Sequence, residues 1–356
     1  MLYTVIMAGG AGTRFWPLSR RSAPKQGLQL IGRSSLFEMA LERIARLTPS
    51  ERTLVITNTD QAALLANQAG GLPRKNIIAE PAARDSAAAV FLGAAIIAAV
   101  DEEAVMLVKA ADHVISPIEA FEATVMRAVE VAETGHLVTF GVRPRYAATG
   151  YGYIERGAPF EGVEGAFRVA AFREKPDPPT AQEYLADGIH YWNSGMFVWR
   201  ARDILDAARR HAPVHYERIA PLGAAFAGEG FSGALAGAYT GLPKISIDYA
   251  VMEKADNIAM VEADFKWDDV GSPVTLRDYL EEDADGNAIR GEARTLDSTG
   301  CTIVGDEDHM VAVVGCSDLV VIHTGDATLV CPADRIGDVK RLVSQLEQDD
   351  STRKYI

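Results

Sequence analysis

Through the first 140 residues, the chain alternates between short, unbroken apolar runs and longer segments whose apolar residues recur at helical spacing. Tyr3 to Ala8 is a run of strand length, followed by Gly9, Gly10 and Gly12, and Ser35 to Arg46 then reads as an amphipathic helix. The same pattern predicts strands over Thr53–Thr57, Val105–Lys109 and Leu137–Val142. It predicts helices over Gln61–Gln68, Ser86–Val100 behind the N-cap candidate Asp85, and Pro117–Glu133. Strands that are apolar on both faces must be covered on both faces. The expected fold class is therefore α/β: a Rossmann-like, mixed but mostly parallel sheet flanked by helices, with ligands at the carboxyl ends of the strands.

From Gly150 the pattern shifts to shorter strands (Tyr151–Arg156, Phe167–Arg173, Met196–Trp199) and helices near Ala181–Ala186 and Arg202–Arg210, which reads as a lid on the same sheet. Ala220–Gly241 is rich in Gly and Ala and reads as an irregular helical hairpin. Four further strands (Cys301–Val304, Met310–Val314, Leu319–His323, Ala327–Val330) precede a helix carrying Ile336, Val339, Val343 and Leu346 at helical spacing. The expected division is a catalytic domain, 1–283, and a small β-rich domain, 284–356. Cys301, Cys316 and Cys331 recur every fifteen positions, as in a short left-handed β-helix, though no hexapeptide pattern accompanies them.

Composition narrows the function. The net charge of −14 disfavours a nucleic-acid or anionic-membrane binder. The apolar run 86–100 is too short to span a bilayer, and Met1–Met7 lacks a signal-peptide pattern. Three unpaired Cys fit reduced thiols, so the expected location is cytoplasmic. The charge is also uneven: residues 1–37 hold Arg14, Arg20, Arg21, Lys25 and Arg33 and no acidic residue, which leaves −19 for the rest. A local cationic site on an acidic body suits a small, highly charged anion.

Gly10-Ala11-Gly12-Thr13-Arg14-Phe15 lacks the third glycine of a dinucleotide fingerprint, and no P-loop motif occurs. Glycines after a strand let backbone N–H groups approach phosphate oxygens, while Arg14 and Lys25 supply positive charge. The run Met7 to Gln26, with Phe15-Trp16-Pro17-Leu18-Ser19 and Pro24-Lys25-Gln26, resembles the signature of the sugar-1-phosphate nucleotidyltransferases, in particular their mannose-1-phosphate guanylyltransferase branch. The resemblance continues through Glu80-Pro81-Ala82-Ala83-Arg84-Asp85, Ala111-Asp112-His113, Thr149-Gly150-Tyr151-Gly152, Phe172-Arg173-Glu174-Lys175-Pro176, Trp192-Asn193-Ser194-Gly195, Ile247-Asp248-Tyr249 and Trp267-Asp268-Asp269-Val270-Gly271. Ala110 departs from the family's usual Pro, and Lys109 before it is unexpected.

The resemblance implies GMP transfer from GTP to mannose 1-phosphate, giving GDP-mannose and pyrophosphate, with Mg²⁺ as cofactor. Asp112 and Asp269 would hold the metal, since Mg²⁺ takes one or two carboxylates and completes its shell with phosphate and water; Asp268 is the alternative to Asp269. Arg14 and Lys25 would hold the leaving pyrophosphate. Gly9, Gly10, Gly12, Thr13, Arg84, Asp85 and Ser86 would bind the nucleotide, with Glu80 accepting from guanine N1–H and N2–H. Gly150, Tyr151, Glu174, Lys175 and Asn193 would bind the sugar phosphate. Asp248 would join them or instead cap the helix Tyr249–Lys254. Tyr153, Trp192 and Trp199 suit the core better than the sugar pocket, and His113 suits packing better than ligation. A sugar phosphate is already ionised near neutrality, with a second pKa of about 6, so no general base is required. Alternatives are a pyrophosphorylase for another nucleotide or hexose phosphate and a non-catalytic nucleotide-sugar binder. The family leaves room for a homodimer. Longer relatives add an isomerase domain, for which the chain to Ile356 leaves no space, so no isomerase activity is expected.

Overall fold

The computed structural model describes residues 1–10 and 12–356; Ala11 of the glycine motif lies outside the described residues. Strands β1 (Leu2–Ala8), β2 (Thr53–Asn58), β3 (Ile77–Glu80), β4 (Val105–Ala110), β6 (Leu137–Val142), β7 (Tyr153–Pro159), β8 (Ala166–Arg173), β9 (His190–Arg200) and β10 (Ile258–Glu262) form one sheet in the order β3-β2-β1-β4-β9-β6-β10-β8-β7. A separate ribbon pairs β5 (Val114–Ser116) with β11 (Lys266–Asp268). β3, β2, β1 and β4 run parallel, so Gly9, Glu80 and Asp112 emerge at one edge. On one face the helix Ser86–Ala98 is buried almost all round, its Ala-rich sequence allowing close packing on β1.

The segment read as a lid is part of this sheet. β9 inserts antiparallel between β4 and β6 and also pairs with β7, because its nearly continuous burial needs neighbours on both edges and both faces. β3, β5, β10 and β11, unassigned from sequence, complete the frame. The helix expected over Tyr249–Lys254 is instead a single π-turn, Asp248–Met252.

After Tyr279 a second sheet stacks Ala288–Arg290, Thr302–Val304 and Leu319–Thr324 in parallel, and Ala293–Leu296 pairs in parallel with Val311–Val314. These are successive coils. The fifteen-residue Cys interval is not their period, since Cys331 sits on an antiparallel strand, Ala327–Pro332. No helix among the described residues is long and apolar enough to cross a membrane.

The β-rich part packs on the turn that follows the glycines. Trp16 is buried against Val320, Ile322, Leu329 and Val339, and its indole N–H donates to the Tyr355 carbonyl at 2.7 Å. Trp16→Ala removes both, so it is expected to cost about 3–5 kcal/mol. A denaturant midpoint equal to that of the parent would show that this packing is not made in solution.

Candidate active site

The glycine turn and the Pro24-Lys25-Gln26 segment fold onto one another. Gly12 has φ 60°, and a Cβ there would strike the Lys25 Cβ, so glycine is needed on both counts. The Gly10 carbonyl accepts from the side-chain amides of Gln26 (3.0 Å) and Gln61 (3.3 Å). Lys25 is only 5% exposed; its ammonium donates to Asp112 Oδ2 at 2.9 Å and to the Asp269 carbonyl at 2.7 Å. Arg14 is exposed and donates to the Gly271 carbonyl at 3.3 Å. Both cations thus reach the loop around Asp269.

Beside the turn lies a cavity of about 510 Å³ walled by Gly9, Gly10, Glu80, Arg84–Ser86 and Asp112, a size that suits a small ligand. Glu80, at the end of β3, is buried; burial raises its carboxyl to about 7, against the lowering effect of a 2.7 Å hydrogen bond donated by Tyr239. Asp85 accepts from the Ser86 N–H, and the Ser86 hydroxyl accepts from the Ile247 N–H.

A second cavity, about 160 Å³, is walled by Gly150, Tyr151, Glu174, Asn193, Asp248 and Asp269. The Asn193 amide donates to Asp248 Oδ1 at 2.9 Å while its oxygen accepts from Thr139. Asp248 is the first residue of the π-turn, whose cap position is Ile247, and it lines the cavity; burial and the charge of Glu174 raise its carboxyl to about 6. Lys175 does not line this cavity. It is exposed and ion-paired with Glu174 at 2.7 Å, and although partial burial opposes it, that pair raises its ammonium.

The ribbon explains how two segments distant in sequence are brought together. Asp268 pairs with Val114, so the residues just beyond the ribbon, Asp112 and Asp269, share one end, with Lys25 between them. Asp269 lines the smaller cavity and accepts from the Tyr151 hydroxyl at 2.9 Å, whereas Asp268 is buried and bonds the Val270 N–H. Burial opposes ionisation of Asp112, but Lys25 and the neighbouring His113 hold its carboxyl below the ordinary value. His113 is packed, accepting from the Trp267 indole at 3.2 Å, with burial pulling it down to about 3. Two carboxylates on separate segments, Asp112 and Asp269, suit a hard divalent cation that takes its remaining ligands from substrate and water; no group of three or more potential protein ligands occurs among the described residues. Three non-glycine residues at positive φ, Asp85 (66°), Lys175 (47°) and Val270 (43°), lie within these same loops, where strain is tolerated only if the surroundings enforce it.

Residues 3–286 match the family described as nucleotidyl transferase. The chain belongs to that family. Residues 291–346 of this nucleotidyltransferase match a β-helix domain described as mannose-phosphate isomerase/GMP-like. The chain is 40% identical to a mannose-1-phosphate guanylyltransferase of Escherichia coli, over 99% of its own length and 75% of the relative's. It is 36% identical to the alginate biosynthesis protein AlgA of Pseudomonas aeruginosa, over 96% and 72%. A solved structure from Thermus thermophilus, described as a mannose-1-phosphate geranyltransferase, superposes with a TM-score of 0.86 at 39% identity, covering 97% of this chain and 99% of that one.

Not all of the expected cationic cluster faces these cavities. Arg20 turns away: it donates to the Pro17 carbonyl (2.9 Å), Asp326 Oδ2 (2.7 Å) and the Thr324 hydroxyl (3.1 Å), while Arg21 pairs with Glu347 and Arg33 is exposed. Two of the five charges thus join the β-rich part to the nucleotidyltransferase sheet. Thr13 lines a separate cavity with Trp16 and Arg20. Tyr153, Trp192 and Trp199 are core residues. Unforeseen were Gln26 and Gln61 on the Gly10 carbonyl, Tyr239 on Glu80, Lys244 in the wall of the larger cavity, and Gly152, where a Cβ would strike Glu174. Of these only Gln26 and Gly152 sat inside a quoted motif.

Proposed function

We propose that this nucleotidyltransferase moves GMP from GTP to mannose 1-phosphate, releasing pyrophosphate and forming GDP-mannose, through in-line attack of the sugar phosphate on Pα. The carrying observation is that Lys25 bridges Asp112, in the wall of a larger cavity that also holds a buried carboxylate, Glu80, and Asp269, in the wall of a smaller one with Glu174, Asn193 and Asp248. Residues 1–283 are read as the catalytic unit and 284–356 as the β-rich unit. The three free thiols suit a cytoplasmic setting.

The division of labour follows from charge. Glu80 accepts from the guanine N1–H and N2–H edge, and the N–H groups of the glycine turn meet the triphosphate. Glu174, Asn193 and Asp248 take sugar hydroxyls, and Lys175, paired with Glu174 before substrate binds, turns to the sugar phosphate. Asp112 and Asp269 are the oxygen ligands for Mg²⁺, which when bound supplies charge neutralisation along the phosphates. Arg14 and Lys25 stabilise the departing pyrophosphate. His113 takes no part as a base, since its Nδ1 already accepts from Trp267. Catalysis then rests on alignment and electrostatics.

The test is direct. Protein supplied with GTP, mannose 1-phosphate and Mg²⁺ is expected to release pyrophosphate, and to do so far more slowly with ATP, UTP or glucose 1-phosphate. Equal rates with glucose 1-phosphate would remove the sugar assignment, and tight GDP-mannose binding without turnover would remove the enzymatic one.

A further inference from the structure

The helix Phe231–Tyr239 lies outside both cavities, yet its last residue reaches Glu80. Tyr239 is 1% exposed, and its hydroxyl donates to Glu80 Oε1 at 2.7 Å. Its carbonyl accepts from Arg84 at 3.1 Å, the Ile245 N–H donates to the Arg84 carbonyl at 3.3 Å, and the Ala87 N–H donates to the Ile245 carbonyl at 3.3 Å. The run 239–247 is therefore strapped along the whole loop from Glu80 to Ala87. With Oε1 tied to Tyr239, Oε2 is left facing the glycine turn, 3.9 Å from where a Cβ on Gly9 would stand.

Building on the reading of Glu80 above, we propose that Tyr239 is a positioning residue for base choice, turning Glu80 and favouring its ionised form so that it presents acceptors, not a donor, to the nucleotide base. The chemistry distinguishes two purines. An ionised carboxyl only accepts, which matches the paired N1–H and N2–H donors of guanine; a neutral carboxyl offers one donor and one acceptor, which matches N1 and N6–H of adenine. Burial favours the neutral form, and Tyr239 is the side-chain donor opposing it. The other titratable groups in the cavity wall are Arg84 and Asp85 on Glu80's own loop, Asp112 after β4, and Lys244 on the strap. Tyr239 thus writes the base preference without touching substrate.

The experiment compares Tyr239→Phe and Glu80→Gln with the parent, measuring kcat/KM for GTP and for ATP, KM for mannose 1-phosphate, and the acid limb of kcat/KM for GTP. Phe keeps the ring in its apolar packing. Tyr239→Phe is expected to lower the GTP-over-ATP ratio about tenfold and to move the acid limb to higher pH, with KM for mannose 1-phosphate unchanged. Glu80→Gln is expected to lower the ratio at least as much and to abolish that limb. If Glu80→Gln shifts the ratio while Tyr239→Phe lowers both nucleotides equally, or neither, the role of Tyr239 is overturned and the reading of Glu80 stands. If neither variant moves the ratio, the reading of Glu80 fails first.

Discussion

Asp112→Asn is expected to reduce turnover about 10²–10³-fold at saturating substrates, and to raise the Mg²⁺ concentration needed for half-maximal rate. The substitution is nearly isosteric and keeps one acceptor for the Lys25 ammonium, now at 2.9 Å from Oδ2, so packing is preserved. What it removes is the negative charge, on which both a hard cation and the almost buried Lys25 depend. The stability cost is smaller, about 1–3 kcal/mol, because Lys25 retains the Asp269 carbonyl at 2.7 Å. Initial rates of pyrophosphate release across an Mg²⁺ titration, with a denaturation curve, separate the two effects. An unchanged Mg²⁺ dependence would mean that Asp112 is no metal ligand, however low the rate.

The fold was legible where local pattern and burial coincide. β1, β2, β4 and β6 are apolar on both faces, the helices Leu36–Ile44 and Ile118–Ala132 carry clear apolar stripes, and Ser86–Ala98 is apolar all round, so the parallel half of the sheet could be read directly. The antiparallel half could not. β9 owes its place between β4 and β6 to pairings with residues 50 to 95 positions earlier in the chain, which no local window contains. β3, β5 and β11 are three or four residues long, below the length at which alternation signals a strand. After Ala288 the strands Thr302–Val304, Val311–Val314 and Leu319–Thr324 and a short β-helix were legible, but the three- and four-residue strands Ala288–Arg290 and Ala293–Leu296 were not, and the Cys spacing suggested a different period.

For the site, residue types in motifs were informative and directions were not. Glu80, Asp112, Asn193 and Asp248 are brought to two cavities: Glu80, Asp112 and Asp248 sit at a strand end or turn, and Asn193 lies within β9 where its register against β6 shifts. Charge counting erred for Arg20 and Arg21, because a count has no orientation: the same cationic segment that supplies Lys25 to the ligand side supplies Arg20 and Arg21 to Asp326 and Glu347. Tyr239 gave no signal at all, being one aromatic in a Gly- and Ala-rich helix 159 residues from its partner.

Lys25→Met should lower kcat at least about 10²-fold in both directions of the reaction, forward and pyrophosphorolytic. Met matches the aliphatic stem, which packs against Gly12, so the turn keeps its shape and only the ammonium is lost. Because that ammonium joins the Asp112 carboxylate to the Asp269 carbonyl, it fixes the gap between the two cavities before any substrate arrives, and an incoming triphosphate offers it stronger anionic partners. Lys25 and Asp112 therefore act as a unit. The double variant Lys25→Met/Asp112→Asn should be less than about tenfold slower than the slower single variant, well short of the product of the two losses. Free energies that add across the pair would show that the two residues contribute independently, and the bridge seen between them would then be structural, not catalytic.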